Sequence, residues 1–313
     1  MSPIGPMSPK IVTVPDDFPS GPNNPLTPTT MIQKRNHWLT VMLLASSFIF
    51  HLSSFTSTAY AQSPCGIQNK AFKAGELISY DLYFNWHFVW VKVGTASMQT
   101  VVSTWQGEPA YRTSLITRGN NKLDNVFVMR DTLLAYCNLT DLSPIYYRKG
   151  AREGKRYYVD ELWYSYPNQK NHIKMRRLSH RGEETIQEKE YDECVYDMMS
   201  IFLRARNFDA STFSEGDIIK LPITDAKHRQ NTWLKYMGKE EYKVDYTGEK
   251  FRCLVFGFFE EEDGRNYELI RFYVTDDQNH MPVMLDMHLS FGSAKAYLKG
   301  YQGVRSPLTS KIE

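Results

Sequence analysis

What this sequence lacks narrows its chemistry before anything else does. Its 313 residues contain no G-x-S-x-G, no H-E-x-x-H, no P-loop and no G-x-G-x-x-G. The short signatures of a nucleophile elbow, a zinc protease, a nucleotide-phosphate loop and a dinucleotide fold are therefore missing. Cysteine is scarce, with Cys65, Cys137, Cys194 and Cys253 widely spaced and no C-x-x-C, which argues against a zinc ribbon and a thioredoxin-like redox pair. Charge of one sign is lacking too: 37 Lys and Arg against 35 Asp and Glu leave +2. No nucleic-acid partner is implied, since that needs a basic excess on one face. The six histidines beyond residue 61 (His87, His172, His180, His228, His280 and His288) show no i, i+2 or i, i+4 pairing. No metal and no cofactor is expected.

Long apolar runs are also absent. The longest, Trp38 to Phe50, has thirteen residues, and crossing a bilayer needs about 20. Its flanks give it another meaning. Lys34 and Arg35 precede it, and Ala59-Tyr60-Ala61 follows a polar Ser/Thr stretch. Positive start, apolar middle and small-x-small end are the parts of a secretory signal peptide. Residues 31–61 are read as that signal, with Gln62 as the new N-terminus. Ahead of it, eight of the 15 prolines lie between Pro3 and Pro28. Residues 1–30 read as a disordered Pro-rich leader, and Met31 stands as an alternative start. Export through a Sec-type signal places residues 62–313 in the periplasm or outside the cell, with association at the outer membrane as a further expectation and no transmembrane span after cleavage. In such a compartment the four cysteines can form up to two disulfides, with three connectivities open; Cys253 alternates with Phe251 and Val255 and reads as a core residue.

What is abundant is aromatic: 20 Tyr, 17 Phe and 6 Trp, 14% of the chain. Aromatics favour pleated, half-buried surfaces. The apolar period beyond residue 62 is two almost everywhere, as in Ile78, Tyr80, Leu82 and Phe84. Runs of this kind cover 77–84, 86–98, 111–118, 125–136, 144–148, 156–166, 172–178, 184–191, 217–223, 232–237, 241–246, 251–260, 267–274, 281–290 and 294–301. Turn chemistry separates many of them, as at Asp263-Gly264 and Pro167-Asn168. Residues 192–206 alone switch period: Val195, Met198, Met199 and Phe202 fall at helical spacing, opened by acids and closed by Arg204 and Arg206. The expectation is one all-β, mainly antiparallel domain over 62–313, a large curved sheet of 12–15 strands forming a barrel or half-barrel, with one inserted amphipathic helix near 192–206.

Candidate binding residues follow from that outline. In the run Tyr83 to Trp90, alternation puts Trp86, Phe88 and Trp90 on one face, as a solid core or as the wall of an apolar pocket. On the helix, Asp197, Ser200 and Arg204 form a polar cluster that could sit at a pocket mouth or face solvent. Basic clusters at Arg148, Lys149, Arg152, Lys155 and Arg156, and at Lys174, Arg176, Arg177, His180 and Arg181, read either as a patch for anionic surfaces or as guarded strand edges. No catalytic residue stands out.

Gly75-Glu76-Leu77-Ile78-Ser79-Tyr80, the later Val93-Gly94-Thr95-Ala96, and the central Tyr196-Asp197-Met198-Met199-Ser200 running to Leu203-Arg204 resemble the bacterial domain-of-unknown-function 3108 family. The late hairpin from Glu241 to Phe259 and the stretch ending in Met281-Pro282-Val283 fit its closing section. The resemblance spans about Ala71 to Tyr301. It implies a secreted or envelope-located β protein and supplies no activity. One departure is the aromatic stretch 84–90, where the family has a shorter connection containing glycine.

The function expected is that of a non-enzymatic envelope carrier holding a lipid or glycolipid on the concave face of the sheet. A scaffolding protein acting through its surface, and a cell-wall or glycan hydrolase with two carboxylates about 5–10 Å apart in a cleft, are the alternatives. Protein partners are not specified by any motif.

Overall fold

A computed structural model describes residues 63–86, 89–123, 128–289 and 292–312, without the side chains of Trp86, Leu123 and Glu153. The stretches expected to be a leader and a signal peptide, and Phe88, lie outside the described residues. Along the chain come β1 (Glu76–Trp86), β2 (Val89–Trp105), β3 (Glu108–Gly119), β4 (Met129–Asn138), β5 (Pro144–Glu153), β6 (Arg156–Ser165), β7 (Asn171–Leu178) and β8 (Glu184–Tyr191). The helix α1 (Met198–Ala205) follows, then β9 (Ile218–Lys220), β10 (Ile223–Thr224), β11 (Arg229–Lys243), β12 (Lys250–Glu262), β13 (Arg265–Thr275), β14 (Pro282–Leu289), β15 (Gly292–Gln302) and β16 (Lys311–Ile312).

These strands make one 16-stranded sheet in the order β10-β11-β12-β13-β14-β15-β1-β2-β3-β4-β5-β6-β7-β8, with β16 on β12 and β9 on β11. Every ladder is antiparallel, and β1 pairs with both β2 and β15, so the first and fifteenth strands lie side by side in the middle of the sheet. The all-β architecture is the one the alternation predicts. Two-residue turns set several registers: Gln106-Gly107 joins β2 to β3 and Asp263-Gly264 joins β12 to β13, each with both residues at positive φ (50° and 91°; 51° and 71°). That geometry matches strand twist and suits Asx-Gly or X-Gly pairs.

Curvature comes from bulges. Opposite Leu82 and Tyr83 the register skips a residue beside Gly94. A Cβ at Gly94 would lie 2.3 Å from the Arg118 carbonyl oxygen, so only glycine lets β3 approach there. The runs 232–237 and 241–246 prove to be parts of one region rather than two strands. Gly238, at φ +99°, lets β11 bulge between Tyr236 and Lys239 and continue to Lys243.

The sheet does not close by a ladder. A single parallel bridge, Tyr196 to Ile223, spans the gap between the segment after β8 and β10. Side chains complete the seam: Gln187 Nε2 donates to the Ala226 and Lys227 carbonyls at 3.0 and 3.3 Å. The Thr224 hydroxyl lies 3.6 Å from Met175 Sδ.

The helix is shorter than its periodicity suggests. Asp197 is the N-cap, its Oδ1 accepting from the Met199 and Ser200 amides at 2.9 and 2.8 Å. Residues before it are held extended, Cys194 by a disulfide and Tyr196 by its bridge. α1 packs against β4 and β10. Cys65 bonds Cys194, leaving Cys137 and Cys253 as buried free thiols.

Candidate ligand site

The concave face of the sheet holds a cavity of about 270 Å³, just below the range of about 300–1,000 Å³ usual for ligand pockets. Its lining shows why period-two strands build it. Tyr80 and Leu82 of β1, Ala96 and Met98 of β2, Leu254, Phe256 and Phe258 of β12, Ile270, Phe272 and Val274 of β13, and Leu285 and Met287 of β14 all reach it at alternate positions. β3, β4, β5, β11 and β15 add single rows, and α1 lays Met198, Met199, Ile201, Phe202 and Ala205 along one side. Met198, Met199 and Phe202 belong to the apolar stripe seen in the sequence, Ile201 and Ala205 extend it, and Val195 precedes the helix. Met198 is 39% exposed and lines the cavity, so the lining reaches solvent at the start of α1.

At the α1 end, a buried polar lattice holds the lining in place. Arg206 donates from Nη1 and Nη2 to the two Glu76 oxygens at 2.6 and 2.9 Å, and from Nε and Nη2 to the Asn279 carbonyl. Both side chains are almost fully buried. Asp277 orders the β13–β14 connection by accepting from Thr275, Asn279 and Ser310. His280, at φ +38°, is thereby held against the cavity with Nδ1 2.7 Å from the Arg206 carbonyl. With a carbonyl as partner, Nδ1 carries the proton and Nε2 keeps its lone pair in the neutral ring. Tyr80 donates to the Pro282 carbonyl at 3.1 Å, and burial drives its phenol well above the usual range.

The concave face is not apolar throughout. Alternation places Asp131 with Leu133 and Ala135, Lys149 with Tyr147, Asp160 with Leu162 and Tyr164, and Arg177 with Ile173 and Met175. Arg177 Nε lies 3.5 Å from Asp160 Oδ1, and its Nη1 lies 3.7 Å from Asp225 Oδ2 across the seam. Burial pushes the Asp160 carboxyl up to about 6 against the pull of Arg177 and Lys149, with Asp225 adding to the rise. Of this group, Leu133, Tyr147 and Lys149 reach the cavity lining. The basic clusters seen in the sequence are thus split by strand parity: Arg148 and Arg176 both reach Glu161, while Lys149 takes the opposite face of β5.

Of the aromatic trio singled out by alternation, the Trp86 side chain and Phe88 lie outside the described residues. Trp90 packs against the core and has the Lys295 ammonium 4.9 Å from its ring centre; it is not among the cavity-lining side chains. Asp197 and Ser200 do come together: the Ser200 hydroxyl donates to Asp197 Oδ2 at 2.6 Å, and the Tyr164 hydroxyl donates to the same oxygen at 3.2 Å. Burial raises the Asp197 carboxyl, and these hydrogen bonds oppose the rise. Arg204 turns away to the Cys65 and Gly66 carbonyls at 3.0 and 3.1 Å. None of the three lines the cavity. The lining residues missed in the sequence, on β12 to β14, carry the same alternation but sit more than 150 residues from β1, so only the sheet order brings them opposite it.

Among the described residues, no three His, Cys, Asp or Glu side chains gather to hold a metal ion, and no helix is long and apolar enough to cross a membrane. A large antiparallel sheet wrapped around an apolar cavity, with one helix along it, defines an open, barrel-like class of β protein. Within that class, the chain belongs to the family described as "Protein of unknown function (DUF3108)", whose model matches residues 79–299. Two solved structures are similar in outline. One is a beta-barrel-like protein of domain of unknown function DUF1849 from Brucella abortus, 12% identical, with a TM-score of 0.45 over 75% of this chain and 100% of that one. The other is a putative exported protein with a YmcC-like fold from Bacteroides fragilis, 8% identical, with a TM-score of 0.28 over 76% of this chain and 100% of that one. No curated protein matches the chain.

Proposed function

We propose that this protein is an exported carrier that holds an apolar or amphipathic ligand of the lipid class in the cavity beside α1. The observation that carries this reading is the cavity itself, about 270 Å³, walled by apolar side chains from ten strands and one helix. An apolar lining of that extent calls for dispersion partners that water supplies poorly. A ligand chain would supply them, at about 0.8 kcal/mol for each methylene removed from water. Eight methylenes would then provide about 6 kcal/mol before ordering costs are subtracted. Export is supported by the signal-like pattern over 31–61 and by the Cys65–Cys194 bond, since disulfides persist in oxidising compartments.

Native mass spectrometry of protein purified from the envelope tests the carrier reading. The expected spectrum has an adduct that is lost on denaturation and regained when stripped protein is incubated with lipid extract. Protein that carries no adduct and takes none up would rule the carrier out. N-terminal sequencing of the same material should begin at Gln62.

A further inference from the structure

Resting on the carrier reading, we infer that the ligand is a single-chain amphiphile with an anionic head, a carboxylate or phosphate, and that Lys149 pairs with that head. Two cationic side chains reach the cavity, Arg206 and Lys149. Arg206 is already neutralised by Glu76 and bound to the Asn279 carbonyl. Lys149 is different. Among the described residues no carboxylate makes an ion pair with it, whereas four cations of the two basic clusters have partners. Arg148 and Arg176 share Glu161, Arg177 has Asp160 and Asp225, and Lys174 has Glu188. The cross-strand partner of Lys149 is Asp160, whose Oδ1 faces Arg177 at 3.5 Å.

Asp160 feels the charge of Lys149 across the strand pair, and neither it nor Asp131 or Asp225 is on the lining. Asp131 accepts from the Arg152 amide, and Arg177 sits between the other two. At this point the cavity is lined by a half-buried lysine side chain, with Tyr147 on the same strand face beside it. A lysine placed this way can keep its head in contact with water while its stem adds to an apolar wall. An amphiphile whose tail lies along Phe256, Phe272 and Met287 and whose anionic head meets Lys149 would satisfy both ends at once. The volume favours one chain over two.

Calorimetric titration of the lipid-stripped mature protein with four twelve-carbon probes tests this: dodecanoate, dodecyl phosphate, dodecanol and dodecyltrimethylammonium, each below its micelle concentration. The anionic probes are expected to bind at least about tenfold more tightly than the cationic one, a difference of about 1.4 kcal/mol. Lys149→Gln should abolish that preference while dodecanol still binds, and Lys149→Arg should keep it. If the wild-type protein binds dodecanol but shows no preference for anionic heads, the head-group inference is overturned and the carrier reading survives. The head-group inference is likewise overturned if Lys149→Gln binds dodecanol and keeps the full preference. If no probe binds the wild type, both fall. The wild-type comparison decides the matter even if the glutamine variant does not fold.

Discussion

Arg206 and Glu76 form a two-pronged ion pair, 2.6 and 2.9 Å long, across 130 residues of sequence. Glu76 opens the first strand and Arg206 closes the helix, so the pair ties α1 to the sheet beside the cavity. Its burial makes it a fastening that cannot be half undone.

Arg206→Met should therefore destabilise the protein by about 3–5 kcal/mol, because it leaves the Glu76 carboxylate buried without its partner. The double variant Glu76→Gln/Arg206→Met should cost clearly less than the two single losses added together. Urea unfolding of the four proteins gives the coupling directly, and strict additivity would mean the contact contributes nothing.

The Cys65–Cys194 bond closes a loop of 129 residues and anchors the segment that precedes α1. Replacing both cysteines by serine should remove about 2–5 kcal/mol. For a chain of this size that corresponds to a fall in Tm of roughly 5–20 °C. Calorimetry of the variant, compared with wild type plus and minus reductant, checks it. Reduction of the wild type should bring the two curves together.

The remaining thiols should behave as inert core groups. Burial raises Cys137 and Cys253 each to about 12, and a protonated, enclosed thiol is a poor nucleophile. Iodoacetamide at neutral pH should label neither in the folded protein and both after denaturation under non-reducing conditions. Fast labelling of either without unfolding would contradict their placement.

Asp160 gives a pH signature of definite sign. Its folded value of about 6 lies above that of a free carboxyl, so the native state binds this proton more tightly than the unfolded chain does. The contribution of the group to stability is full below about 4 and is lost as pH rises through about 6. Set against Asp160→Asn, which cannot titrate, wild type should lose stability between those two values. A difference that stays flat, or that grows with pH, would refute the assignment.

Filling the cavity should separate binding from folding. Ala96 and Ala296 both line it from strands on either side of β1. Ala96→Phe would add a ring where the wall now ends in a methyl group. The expected result is loss of the co-purified adduct with a change in stability of no more than about 1–3 kcal/mol, the usual range for overpacking. A full-strength adduct in that variant would place the ligand elsewhere.

Much of the strand architecture was legible because its cause is local. A residue two positions along faces the same side, so Ile78, Tyr80 and Leu82 declared their shared face without help from the rest of the chain. The helix was legible in type and wrong in extent. Its first predicted turn is occupied by Cys194 and Tyr196, whose partners Cys65 and Ile223 are remote, and distant bonds override a periodic pattern. The binding site was less legible. The stretch 84–90 drew attention through sheer aromatic density, yet Trp90 packs beside Lys295, while the described wall is made by Phe256, Phe258, Phe272 and Met287 in strands with the same pattern and no special mark.

By itself, then, the sequence determined that this is an antiparallel β protein with one amphipathic helix and a signal-like start, since period, turn residues and N-terminal order are properties of neighbours in the chain. The tertiary structure alone decided that Arg206 meets Glu76, that Cys65 chooses Cys194, and that Lys149 reaches an apolar cavity while Arg148 beside it does not. Those outcomes depend on which strands lie side by side and where bulges turn the sheet, and no local pattern carries that information.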